Sequence, residues 1–134
     1  MKVYVFDSNV LIGYFFDSKG PASQCLHEIL DHVEMTGDLL VISTLQLGEV
    51  FHIVARQESR AKAHEALRAV ESLRIESADF DRPRMIRAAE FRLRTGLAFA
   101  DSAAAELALE TGGALVTSDR DFKKAEKLIK IRWV

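Results

Sequence analysis

"KVYVFDSN", residues 2–9, decides the fold. A run of strand length, rich in β-branched and aromatic residues, passes without a turn into Asp-Ser-Asn, three residues that each favour a helix N-cap. The same hand-over recurs at "LLVIS" (39–43), which runs into a helix-period stretch, and at "ALVTS" (114–118), which runs into Asp119. Two weaker, more alternating strand candidates are "LRIES" (73–77) and "IKIRWV" (129–134). Between them lie helix-period stretches at Ser8–Phe16, Ala22–Met35, Leu45–Arg56, Ala61–Leu73, Arg84–Arg94, Asp101–Glu110 and Phe122–Leu128. Buried-looking strands that alternate with helices imply βαβ units. The expected fold is therefore α/β: a three-layer α/β/α sandwich around a central, mostly parallel sheet of four to five strands. Lys19-Gly20-Pro21, Thr36-Gly37-Asp38, Thr95-Gly96 and Gly112-Gly113 fall where helices must end. With no linker and no internal repeat, residues 1–134 read as one domain.

Composition excludes several classes. At 49% hydrophobic and 28% charged residues, the chain is ordinary globular material rather than a disordered or low-complexity segment. The net charge of −2 carries no global signal for nucleic acid, but its distribution is uneven. Met1–Ala55 holds two bases against seven acids, whereas Arg56–Arg94 holds ten against seven, nearly all of them arginine. That middle segment reads either as a solvated helical face or as a phosphate-contacting surface. The single cysteine, Cys25, sits on an apolar helical face with Ala22, Leu26 and Ile29 and reads as a small core residue. A chain with no possible internal disulfide suits a reducing cytoplasm. The N-terminus turns polar too soon for a signal peptide, and no apolar run reaches membrane-spanning length, so the expectation is a soluble, cytoplasmic protein without membrane contact.

In open parallel sheets, sites form at the carboxyl ends of the strands. Three acids fall at or near such ends: Asp7 after the first strand, Glu49 on the helix after the second, and Asp119 after "ALVTS". A fourth, Asp101, opens the small-residue helix "DSAAAELAL". Helix capping offers a plain account of Asp7 and Asp101, and Ser118 with Asp121 has capping-box spacing. A mid-helix glutamate caps nothing, however. The helix around Glu49 is apolar nearly all round, so its carboxylate is expected close to the core, where an unpaired charge is costly. Acids that converge repel one another and raise one another's pKa values. A cation relieves this. Carboxylates with hydroxyl neighbours are hard oxygen ligands, suited to Mg²⁺ or Mn²⁺. His52 shares a helix face with Glu49, but a di-iron bundle needs that Glu-x-x-His pairing twice and it occurs once. No phosphate-binding glycine loop is present. Ser8 and Thr117 stand where hydroxyls would orient the carboxylates, or would serve simply as caps and strand-end groups. Arg120, between two acids, reads as a local charge partner or as a phosphate contact.

These stretches resemble the PIN-domain ribonucleases, and within them the small VapC-like toxins of prokaryotic toxin–antitoxin pairs. "VFDSNVLIGYF" is similar to the family's opening strand, Asp-x-Asn turn and first helix. "STLQLGEVFH" is similar to the segment that bears its glutamate, and "GLAFADSAAAELALETGGALVTSDRDF" to its third-acid helix, next strand and Thr-x-Asp-x-Asp-Phe signature. The third-acid helix departs from the usual pattern, with Ser102-Ala103-Ala104 where a bulky aliphatic residue more often follows the aspartate. The resemblance implies that Asp7, Glu49, Asp101 and Asp119 form an acidic centre, with Asp121 an additional metal-binding acid. It also implies a Mg²⁺- or Mn²⁺-dependent endoribonuclease that leaves a 5′-phosphate, forms a homodimer and is neutralised by an antitoxin protein. Tyr14-Phe15-Phe16 is an aromatic cluster that either serves such an interface or belongs partly to the core. Other readings are a housekeeping RNA-processing nuclease of the same fold, a non-catalytic protein- or RNA-binding module, and an aspartate-phosphorylated domain. The last fits less well, because "FDSN" offers one acid where receivers want adjacent acids and dehalogenases want Asp-x-Asp.

Overall fold

A computed structural model describes residues 1–134. Five strands form one sheet: β1 (Val3–Phe6), β2 (Leu39–Ser43), β3 (Ile75–Ala78), β4 (Ala114–Thr117) and β5 (Lys130–Trp133). Their order is β3-β2-β1-β4-β5, and every neighbouring pair is parallel. The expected three-layer architecture is what the chain adopts, with an entirely parallel sheet at the upper end of the expected strand count.

Helices α1 (Ser8–Phe16), α2 (Pro21–Thr36), α3 (Thr44–Gln57) and α4 (Arg60–Ser72) cover one face, and α5 (Arg82–Thr95) and α6 (Phe99–Thr111) the other. Alternation along the strands divides the core accordingly. Phe6, Leu40, Ile42, Ile75 and Val116 face the first layer, while Val5, Val41 and Leu115 face the second. The small residues of α6 matter here. Ala103, Ala104, Ala105 and Ala108 are buried, so this helix lies close on the sheet at its centre.

Gly37, Gly96 and Gly112 end α2, α5 and α6 in the left-handed conformation, at the breaks the sequence marks. One expected element differs. In place of an α-helix over Phe122–Leu128 there is a 3₁₀ helix over Arg120–Ala125, followed by a turn that leads at once into β5. Its cap differs too. Asp119, not Ser118, takes the first free amide, accepting from Asp121 N–H at 2.9 Å.

The chain runs from β1 outward through β2 to β3, then returns over the other face to place β4 on the opposite side of β1. The strand order therefore reverses between β1 and β4. At such a reversal the connections leave the carboxyl ends in opposite directions and open a crevice. Asp7 follows β1 and Asp119 follows β4, so both lie at its mouth. No helix is long and apolar enough to cross a membrane.

Candidate metal centre

Asp7 is the N-cap of α1, yet its carboxylate makes no capping bond. It is almost fully buried, at 1% exposure, and its backbone N–H extends the sheet ladder to the Val116 carbonyl at 3.1 Å. The side chain is thereby aimed across the crevice toward β4. There the Thr117 hydroxyl donates to Asp7 Oδ2 at 2.8 Å and accepts from Asp119 N–H at 3.0 Å. One buried hydroxyl thus holds two of the acids in register.

Asp101 lies in the first turn of α6, where the helix dipole favours a negative charge; the cap position itself is Ala98. Capping therefore does not explain Asp101. Oxygens of Asp101, Asp119 and Asp121 lie within 4.8 Å of one another. Asp119 accepts from Asp121 N–H through Oδ1.

Glu49 departs from expectation. It is exposed rather than set against the core, because α3 buries the stripe Gln46, Val50 and Val54 and turns Gly48, Glu49 and His52 outward. Even so, enough protein surrounds its carboxyl group that desolvation raises the pKa, opposed by the Ser8 hydroxyl, which donates to Oε2 at 3.5 Å.

Neighbouring acids add to the cost of ionising two members of the set, Asp7 and Asp101. Asp7 is pushed up to about 7, chiefly by burial, with repulsion from Asp101, Asp119 and Glu49 added and the Thr117 hydrogen bond opposing. Asp101 is pushed up to about 6 by burial and by Asp119, Glu49 and Asp121, while Lys124 eases it. None of the chain's ion pairs engages any of these five carboxylates. The donor set is all oxygen, with hydroxyls and backbone amides orienting it. Such a set could hold a hard divalent cation.

Arg120 is not the local charge partner of its neighbours. Adjacent side chains do not face each other on a helical turn, and its guanidinium instead lies 4.6 Å from the centroid of the Trp133 ring. The arginine-weighted middle of the chain is partly committed elsewhere. Arg87 pairs with the buried Glu106 at 2.6 Å, and Arg84 and Arg87 both bond Glu110, tying α5 to α6.

Sequence reasoning missed Gln46. It is wholly buried; Oε1 accepts from Ser8 N–H at 2.9 Å and Nε2 donates to the Ala100 carbonyl at 2.6 Å. The signal was its spacing: a polar residue at the head of the i, i+4, i+8 stripe that Val50 and Val54 continue.

A family profile described as "PIN domain" matches residues 4–128. Among solved structures, VapBC2 from Rickettsia felis, bound to a DNA fragment from its promoter, superposes with a TM-score of 0.76 at 16% identity, covering 98% of both chains. VapBC-1 from nontypeable Haemophilus influenzae gives a TM-score of 0.71 at 17% identity over 98% of this chain and 97% of that one. VapC20 of Mycobacterium tuberculosis, described as a Sarcin-Ricin loop cleaving toxin, gives 0.70 at 18% identity over 98% and 99%. No curated protein sequence matches.

Proposed function

Because the chain belongs to the PIN domain family, we propose that it is a metal-dependent endoribonuclease, a single domain over residues 1–134 acting in the cytoplasm as the toxin of a toxin–antitoxin pair. One observation carries the reading. Asp101, Asp119 and Asp121 bring carboxylate oxygens within 4.8 Å of one another, Asp7 and Glu49 stand near enough to add to the repulsion, the pKa values of Asp7 and Asp101 are strongly raised, and none of the five acids is in an ion pair. A fold that only capped its helices would not gather them in this way.

Asp7, Glu49, Asp101 and Asp119 are the proposed catalytic acids. With Asp121 on the exposed side, they would hold Mg²⁺ or Mn²⁺. The chemistry such an ion supplies when bound is activation of water and neutralisation of charge on a phosphodiester. The remaining groups prepare the seat. Thr117 fixes Asp7 and Asp119 through one hydroxyl, and Ser8 steadies Glu49. Arg120, exposed and stacked over Trp133 between Asp119 and Asp121 in sequence, is the proposed contact for a substrate phosphate. The description of VapC20 as a toxin that cleaves the Sarcin-Ricin loop supports RNA as the substrate class.

That similar solved structures are toxin–antitoxin assemblies supports an antitoxin partner; the resting assembly in this reading is a homodimer. A seat for an apolar antitoxin segment is available. A groove of about 460 Å³ between α1, α3 and α4 is lined by Phe15, Phe16, Val54, Ala66 and Ala69, with Glu58, Lys62 and Glu65 among its charged lining residues. Tyr14 and Phe15 pack against the core, while Phe16 is left exposed. The cluster thus serves as core and surface at once.

The test is cleavage of an end-labelled RNA pool with Mg²⁺ or Mn²⁺, with chelator, and with Asp7→Asn purified in parallel. Cutting by the wild-type chain alone, and only with metal, is the expected result. Equal cutting by the variant or in chelator refutes the assignment.

A further inference from the structure

Gln46 occupies a position where an aliphatic side chain would satisfy packing. Burying an amide without partners is costly, so its presence is explained by the two hydrogen bonds it makes. Both are to backbone groups of fixed polarity. Ser8 N–H can only donate and the Ala100 carbonyl can only accept, which leaves one orientation for the amide.

These partners are not arbitrary positions. Ser8 is the first residue of α1, directly after Asp7, and Ala100 directly precedes Asp101 in the first turn of α6. The two helices lie on opposite faces of the sheet, and α3, which carries Gln46, also carries Glu49 one turn further on. A single side chain of α3, the helix that carries Glu49, thus ties together the starts of α1 and α6, where Asp7 and Asp101 stand. Thr117 links Asp7 to Asp119 and Ser8 bonds Glu49, but neither reaches α6; Gln46 is the polar link that does.

We infer that Gln46 is a positioning residue of the acidic centre, setting the separation of Asp7 and Asp101 through its bonds to Ser8 and Ala100. The inference rests on reading that centre as a cation site. It requires both ends of the amide. Methionine keeps the volume and removes both bonds, and asparagine keeps the amide but falls one methylene short of spanning the two backbones.

The experiment is titration calorimetry of the full chain with Mn²⁺ alone, on wild type, Gln46→Met, Gln46→Asn and, as a control, Val70→Ala. Val70 is buried in α4, away from the acids, so its truncation lowers stability without touching the centre. Melting temperatures in chelator are recorded for all four. Both Gln46 variants are expected to weaken Mn²⁺ binding about 10- to 100-fold, the range usual for groups that orient metal ligands, while Val70→Ala binds as wild type does despite its lower melting temperature. Should Gln46→Met fail to fold, Gln46→Asn carries the comparison. Unchanged affinity in the folded Gln46 variants, or equal weakening in Val70→Ala, overturns the inference and leaves the cation site standing. Absence of Mn²⁺ binding by the wild-type chain overturns both.

Discussion

Replacing Asp7 with asparagine is expected to stabilise the metal-free protein, the reverse of the usual result for altering a buried, hydrogen-bonded group. The carboxyl of Asp7 stands at about 7 instead of 3.8, driven mainly by burial. The folded state therefore prefers the protonated form. Its contribution is fully present below about pH 4 and is lost as pH rises through about 7. At about 1.4 kcal/mol for each tenfold change in the protonation equilibrium, the ionised carboxylate costs about 4 kcal/mol well above neutrality, and about 3 kcal/mol of that appears between pH 5 and pH 8. Asparagine keeps the shape and an oxygen to accept from Thr117, and it removes the charge. The assay is urea denaturation in chelator at the two pH values. Wild type should lose about 3 kcal/mol more than Asp7→Asn across the interval, and the variant's melting temperature at pH 8 should be higher by about 10 °C. Some slope will remain in the variant, because Asp101 is raised by its own burial. Parallel pH slopes, or a variant no more stable at pH 8, would refute the claim that Asp7 is held as an uncompensated buried charge. Adding Mn²⁺ should reverse the order, since a ligand that binds only the folded wild type stabilises it alone.

Other expectations follow from single contacts. Thr117→Val preserves strand shape but removes the hydroxyl shared by Asp7 and Asp119; it should cost about 1–2 kcal/mol and weaken Mn²⁺-dependent stabilisation about tenfold, read from melts across a Mn²⁺ series. Arg87→Met strips the buried Glu106 of its 2.6 Å partner and should lower the urea midpoint at neutral pH, although Arg84 stays 3.7 Å away. Arg132→Met, which breaks the exposed pair with Glu28, should stay within about 1 kcal/mol by the same denaturation assay. Gly13→Ala reverses the usual helix preference, because the added Cβ would come 2.8 Å from Ala22 Cβ where α1 meets α2; a loss of about 1–3 kcal/mol is expected, and a gain would show that the close approach relaxes freely.

What could be read from the sequence was what burial enforces. β1, β2 and β4 are central strands covered on both faces, so their residues are near-continuous apolar runs and their boundaries are plain. The edge strands β3 and β5 must face water in part, and their weaker alternation reflects it. The last helix was expected too long because its apolar spacing suits an α-helix equally well; the cap formed by Asp119 and the short run to β5 leave room only for a 3₁₀ segment. The acids were legible for a different reason. Each stands where strand becomes helix, or where a charge interrupts an apolar face, and neither position is needed for folding. Glu49 shows the limit of that reasoning. An apolar helix admits more than one buried stripe, and tertiary packing chose the one headed by Gln46, which turns Glu49 outward to the rim of the crevice. Arg120 failed as a charge partner because adjacency in sequence says little about direction, and the ring it lies over, Trp133, is at the end of the next strand, β5.

The central claim is that the converging carboxylates exist to hold a cation. Manganese anomalous scattering from crystals soaked in Mn²⁺ tests it most directly. The account predicts a peak in the crevice between β1 and β4, within bonding distance of oxygens from Asp7, Asp101 and Asp119 and lost in crystals of Asp101→Asn. A crevice with no peak, or Mn²⁺ bound only at acids outside it, would contradict the account.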